Sequence, residues 1–174
     1  LGRLAAHTLE VPFVLGGGMA TGAHLASALA LGASGALMGS RMLVSDEIWA
    51  HPAYKEHLLT LDATRTTTVL STFGKTYRCL HNDAADKIRE MEAEGISDFE
   101  AYRHLARGEA ARAAYQTGDW RHGILSLGPA IAFAEKIEPA ADIIASVVTD
   151  AAMAIDRINQ LESTQTSTHT TESQ

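Results

Sequence analysis

Two short apolar runs near the start of the chain are each followed by small residues. Residues 11–15 read Val-Pro-Phe-Val-Leu and precede three glycines, Gly16–Gly18. Residues 35–38 read Gly-Ala-Leu-Met and precede Gly39 and Ser40. A short apolar run bounded by glycine is typical of a buried strand. The pattern therefore predicts two strands, each ending in a glycine-rich turn.

A helix is predicted between these strands. Thr21 can cap its first turn, the apolar positions continue to about Leu31, and Gly32 suits the residue just beyond a helix. A strand, a short helix and a second strand in this order form a unit whose strands are parallel neighbours.

After Arg41 the apolar pattern becomes mainly helical. The final helix has apolar residues at nearly every turn, and a Ser/Thr-rich tail without such periodicity follows it. The predicted elements are a helix with Pro52 in its first turn, an extended segment or loose hairpin within 66–80, a helix from Asn82 to Gly95, a helix with a capping box of Ser97 and Glu100, and a last helix that Pro139 opens.

The predicted organisation has three parts. Residues 1–58 form an α/β part that carries the glycine turns, residues 59–162 form a mostly helical extension, and residues 163–174 form a disordered tail. A complete (β/α)₈ barrel needs about 250 residues, and only two of its strands are found in this sequence. A barrel of this kind could therefore be present only in part.

Composition and charge narrow the classes of function. A net charge of −7 and the lack of a Lys/Arg cluster argue against nucleic-acid binding. No apolar stretch is long enough for a membrane span, so we expect a cytoplasmic protein. The one cysteine, Cys79, has no partner for an internal disulfide, and no His, Cys or carboxylate spacing indicates a metal site. No oligomeric state follows from the pattern.

The glycine turns are candidates for binding an anion. A strand that ends in Gly17 and Gly18 and leads into a helix offers backbone N–H groups and the positive helix end to a phosphate. Gly39 and Ser40 add further N–H groups and a hydroxyl at the end of the adjacent strand, where ligands of parallel α/β proteins commonly bind. Arg41 could neutralise the phosphate or form a structural ion pair. The alternative is that the glycines only permit tight turns and packing.

The quoted residues resemble one family of flavoproteins. The segments V-P-F-V-L-G-G-G-M-A-T-G, L-A-S-A-L-A-L-G-A-S-G-A-L-M-G-S-R and A-H-P-A-Y-K are similar to the closing part of the nitronate monooxygenase (2-nitropropane dioxygenase-like) family. The similarity covers nearly all of the chain except the tail, and its middle and C-terminal parts look closest to the branch with NADH:quinone reductases.

The resemblance implies an FMN-dependent (β/α)₈ barrel enzyme, of which we expect this chain to be the C-terminal portion. It also implies a small-molecule substrate, either a nitronate oxidised with O₂ or NAD(P)H and a quinone. It implies that Gly17 and Gly18 after strand seven, and Met38, Gly39 and Ser40 after strand eight, grip the flavin phosphate. The chain departs from the family where Leu37 replaces a frequent Gln, Ser40 replaces Thr, and 127–129 read Leu-Gly-Pro rather than Ala-Gly-Gln. The implied cofactor-binding set is Gly17, Gly18, Leu37, Met38, Gly39 and Ser40.

Two alternatives stay open at this point. IMP dehydrogenase and GMP reductase also bind a nucleotide phosphate with glycine turns of this kind. The chain could instead be a non-catalytic FMN-phosphate-binding piece. In the family the catalytic histidine lies in an upstream Gly-His segment, which this sequence lacks, so we assign no catalytic residue to the chain.

Overall fold

The structure, a computed structural model, describes the backbone of residues 1–168 and the side chains of residues 1–160. Short 3₁₀ helices at Ser40–Val44, Ser71–Phe73 and Pro129–Phe133 join the regular elements. The regular elements are α1 (Gly2–Thr8), β1 (Val14–Gly16), α2 (Gly22–Ala30), β2 (Gly35–Leu37), α3 (Pro52–Leu58), β3 (Thr66–Val69), β4 (Tyr77–Leu80), α4 (Asp83–Ala93), α5 (Phe99–Ala106), α6 (Gly108–Thr117) and α7 (Ala140–Thr168).

The chain divides into two compact units. Among the described residues, the first contains 1–37 and 141–168, and the second contains 38–140. The boundary predicted at residue 58 concerns the barrel of a longer protein and stays a prediction.

The first unit contains the predicted strand–helix–strand motif. Strands β1 and β2 pair in parallel, with Val14 opposite Gly35 and Gly16 opposite Leu37. The Thr21 side chain caps α2 as predicted. Parallel strands joined by a short helix agree with the interpretation of the apolar pattern.

Helix α7 packs in the first unit through one side of its N-terminal half. Ile143, Val147 and Ala151 are buried there, as the apolar periodicity predicts. The helix extends to Thr168, so residues 163–168 of the predicted disordered tail are helical backbone, because adding residues to an existing helix costs little. The rest of that tail, 169–174, lies outside the described residues.

The second unit is built around an antiparallel hairpin. Strands β3 and β4 pair with Thr66 opposite Leu80, so residues 66–80 form the hairpin, one of the two predicted possibilities. Asn82 caps α4 by accepting the Ala85 N–H, again as predicted. Burial raises the pKa of the Cys79 thiol on β4 to about 11, so the thiol is protonated at neutral pH.

Two apolar clusters form the core of the second unit. One gathers around the hairpin and helices α4 and α5, the other around α3, α6 and the 3₁₀ helix at 129–133. The first contains Val69, Cys79, Ala85, Ile88, Met91, Tyr102 and Ile124, and the second contains Val44, Tyr54, Leu58, Leu61, Leu80, Ala114, Leu125, Leu127, Ile131 and Ala134.

The cap of helix α5 differs from the prediction. Asp98, rather than Ser97, precedes the first helical residue, and its Oδ1 accepts the Glu100 N–H at 3.1 Å. The capping box predicted for Ser97 and Glu100 is therefore wrong. A carboxylate one residue later caps the helix equally well and also suits the positive helix end.

Candidate functional site

The turn after β1 has the backbone that the glycines were predicted to allow. Gly17 and Gly18 have φ angles of +90° and +75°, a region that residues with a β-carbon rarely adopt. Both are exposed, and a β-carbon placed on either would have no heavy atom of the described residues within 4 Å, apart from its chain neighbours. The turn therefore combines a glycine-specific conformation with open space beside it.

Helix α2 begins directly after this turn, and its own residues satisfy part of its N-terminus. The Thr21 hydroxyl accepts the His24 N–H at 3.3 Å, and His24 Nδ1 accepts the N–H groups of Ala20 and Thr21 at 3.3 Å each. These donors are not available to a ligand. The N–H groups of Gly17 and Gly18 are not among those that the cap occupies.

Gly22, the first residue of α2, lies very close to helix α7 within the first unit. A β-carbon on Gly22 would lie 2.4 Å from the backbone N of Ala151 and 2.4 Å from Cβ of Asp150, both on α7. Nonbonded heavy atoms do not come this close, so only glycine permits α2 and α7 to approach as they do. The contact could not be predicted from the local sequence, because the contacting residues lie over a hundred positions away.

Leu37 ends β2, and its side chain is 65% exposed. Its register partner is Gly16, the last residue of β1. Since parallel strands end at the same edge of a sheet, the residues that follow Gly16 and Leu37 both start from that edge.

In the second unit, Met38 and Gly39 lead into the 3₁₀ helix at 40–44. Gly39 is exposed, has a φ of −105°, and has no heavy atom of the described residues within 4 Å of a β-carbon placed on it, apart from its chain neighbours. The Ser40 Oγ accepts the Gly128 N–H at 2.7 Å, which leaves the hydroxyl proton free to donate. Nothing in the local sequence around Ser40 indicated this contact across 88 positions.

Arg41 forms the structural ion pair that the sequence left as one of two possibilities. Its Nη2 donates to Glu138 Oε1 at 2.6 Å, and both side chains are 11% exposed. Lys136 Nζ lies 2.9 Å from the second oxygen of Glu138. The hydrogen bonds from Lys136 and Arg41 lower the pKa of the Glu138 carboxyl, so it is charged at neutral pH.

The described residues contain no group of three or more His, Cys, Asp or Glu side chains that could hold a metal ion. Every helix within the same part of the chain is too short or too polar to cross a bilayer. Each glycine turn by itself offers backbone N–H groups, and the second also offers the Ser40 hydroxyl, which are donors of the kind that bind anions.

Similarity to known proteins points to one family. The sequence profile of the nitronate monooxygenase family matches residues 1–150. A nitronate monooxygenase of Paraburkholderia phytofirmans is 30% identical over 163 residues, which are 92% of this chain and 43% of that protein. A probable nitronate monooxygenase of Staphylococcus saprophyticus is 30% identical over 115 residues, which are 66% of this chain and 32% of that protein.

Solved structures agree with the sequence comparison. FabK from Thermotoga maritima matches 92% of this chain with a TM-score of 0.84 at 28% identity, and the match covers 50% of the FabK chain. A nitroalkane oxidase from Streptomyces ansochromogenes matches 91% of this chain with a TM-score of 0.72 at 26% identity, over 44% of its own length. The chain thus spans half or less of the length of each of these four proteins.

These neighbours are consistent with a partial α/β barrel as the fold class. The predicted family resemblance is confirmed by a profile match over 150 residues and by relatives that carry the family name. The chain belongs to the nitronate monooxygenase family.

Proposed function

We propose that the protein carrying this chain is an FMN-dependent oxidoreductase, and that this chain holds the phosphate of the flavin. The observation that carries the proposal is the turn at Gly17 and Gly18, with positive φ angles and open space where a β-carbon would stand. Such a turn lets an anion approach the backbone closely.

The phosphate-binding groups in this proposal are the backbone N–H groups of Gly17, Gly18, Gly39 and Ser40, together with the Ser40 hydroxyl. Leu37 and Met38, which directly precede Gly39 and Ser40 in the sequence, are the apolar members of the proposed site. When bound, the flavin would supply the electron-accepting chemistry of nitronate oxidation or of NAD(P)H-dependent quinone reduction. The residues of this chain bind and orient the phosphate, and we assign no general acid or base to them.

Family membership favours this function over the nucleotide-binding barrel of purine metabolism.

The test is to purify the whole protein that carries this sequence and to measure its flavin content and its affinities for FMN and riboflavin. Its turnover of a nitronate with O₂ and of NADH with a quinone is then measured. We expect a yellow protein that prefers FMN to riboflavin and turns over one of the substrate pairs. A colourless protein that binds a purine nucleotide instead would contradict the proposal, and FMN binding without turnover would support the non-catalytic alternative.

Replacing Ser40 by alanine is expected to weaken FMN binding without changing turnover at saturating FMN. The variant leaves the Gly128 N–H without its acceptor, a loss of about 0.5–1.5 kcal/mol for a neutral hydrogen bond. It also loses the hydroxyl that would donate to the phosphate, a loss of up to about 3 kcal/mol for a hydrogen bond to a charged group. Turnover is retained because a contact made equally in the ground and transition states affects binding alone.

A flavin titration followed by steady-state kinetics measures this prediction. Ser40→Thr is the matched control, because it keeps the hydroxyl and should bind FMN nearly as tightly as the unchanged protein. A large fall in turnover of flavin-saturated Ser40→Ala would place Ser40 at the reacting end of the flavin and contradict the assignment.

A further inference from the structure

The segment after β2 is anchored by side-chain contacts to a part of the chain nearly a hundred residues away. Ser40 is joined to Gly128 by the hydrogen bond at its Oγ, and the next residue, Arg41, is joined to Glu138 by an ion pair. Ser40, a proposed phosphate-binding residue, and Arg41, which follows it, therefore both make long-range polar contacts within the second unit.

The Arg41 side chain is held inside the second unit rather than extended into water. Arg41 is 9% exposed as a whole residue, and its Nη1 is buried without a hydrogen-bond partner among the described residues. Removing a guanidinium from water is costly, and a close charged partner such as Glu138 offsets that cost. The guanidinium therefore depends on Glu138 for its position.

Glu138 also fixes the other end of the 3₁₀ helix at 40–44. Its carbonyl accepts the Asp46 N–H at 3.1 Å. The buried ammonium of Lys55 donates to the carbonyl oxygens of Ser45, at 2.6 Å, and Asp46, at 3.1 Å. Glu138 thus holds the helix at Arg41 through its carboxylate and just beyond the helix through its backbone, which leaves the segment little freedom to rotate.

We propose that Arg41 and Glu138 are positioning residues that orient the N–H groups of Gly39 and Ser40 toward the flavin phosphate. The inference rests on the proposed function, because it assumes that these N–H groups bind that phosphate. It assigns Arg41 an indirect role. A small displacement of a preorganised donor is enough to weaken binding, which gives the anchor its importance.

The rival role for Arg41 is direct contact with the phosphate, and the two roles predict opposite effects of one substitution. Glu138→Gln removes the negative charge that holds the guanidinium but keeps the shape of the side chain. With an indirect role, the loosened anchor weakens FMN binding. With a direct role, the guanidinium loses a competing anion, and FMN binding becomes tighter.

The experiment compares FMN with riboflavin, which lacks the phosphate, in the whole protein. We expect Glu138→Gln and Arg41→Met each to raise the Kd for FMN by roughly tenfold, in the range of a hydrogen bond to a charged group. The Kd for riboflavin and the turnover at saturating FMN should stay unchanged. Arg41→Met leaves Glu138 paired with Lys136, so it does not strand a buried carboxylate.

Lys87→Met is the control, because it removes an exposed ion pair with Glu90 elsewhere in the second unit and should change neither Kd.

Tighter FMN binding by Glu138→Gln overturns the inference in favour of direct contact. Unchanged FMN binding, or an equal loss of affinity for both flavins, also overturns it. If Arg41→Met does not fold, Glu138→Gln decides alone. A wild-type protein that does not prefer FMN to riboflavin refutes the proposed function itself, which separates the two failures.

Discussion

Replacing Gly18 by valine is expected to abolish FMN retention while leaving the protein folded. The φ of +75° at Gly18 is strained for a β-branched residue, by about 1–3 kcal/mol. A β-carbon placed on Gly18 has no heavy atom of the described residues within 4 Å, apart from its chain neighbours, so the new side chain starts in open space. It would instead occupy the position where the proposed phosphate approaches the backbone.

Gly74→Val is the matched control for this experiment. Gly74 has a φ of +68° and the same open space, but it lies after the 3₁₀ helix at 71–73, away in sequence from both glycine turns. Both variants should lose similar stability in thermal unfolding, and only Gly18→Val should elute colourless from gel filtration. If Gly18→Val retains as much flavin as Gly74→Val, Gly18 does not line the cofactor.

Replacing Gly22 by alanine is expected to destabilise the first unit by about 3 kcal/mol or more, at the upper end of the cost of overpacking. A single methyl group would lie 2.4 Å from the backbone of α7 at Ala151 and from Cβ of Asp150. Backbone atoms cannot turn aside as a flexible side chain can, so helices α2 and α7 would have to separate. FMN affinity should fall too, because α2 begins directly after the proposed phosphate turn.

Gly108→Ala provides the matched control. Gly108 is the first residue of α6, as Gly22 is of α2, but no heavy atom lies within 4 Å of a β-carbon placed there, apart from its immediate chain and helix neighbours among the described residues. The control should be neutral or stabilising by about 0.4–1 kcal/mol, because alanine restricts the unfolded chain. Denaturant unfolding of both variants measures the difference. Equal stabilities would show that α2 and α7 do not pack as described.

Elements with local signals could be predicted from the sequence. Thr21 caps α2, Asn82 caps α4, and Pro52 stands in the first turn of α3, as each residue type favours. The glycine pair at 17 and 18 has the positive φ angles expected of a turn that only glycine adopts readily. Where two capping residues compete within one residue of each other, as Ser97 and Asp98 do, the sequence could not select between them.

Helix α6 shows where local signals were too weak. It begins at Gly108 and follows α5 after a single residue, Arg107, whose side chain makes no cap. No residue with a strong capping preference marks its start, so no separate helix was predicted there. Gly118 directly follows the last helical residue and has a φ of +79°. A glycine at this position is typical of a helix end, so it could have been used to predict where α6 ends.

By itself the sequence determined the strand–helix–strand motif, the glycine turns and the starts of helices α2, α3, α4 and α7. All of these follow from backbone preferences and capping within a few residues. Only the tertiary structure decided that Gly22 is required by α7, that Ser40 is joined to Gly128, and that Arg41 pairs with Glu138. These contacts join residues 88 or more positions apart, and no local preference encodes which distant surface a side chain will meet once the apolar core has formed.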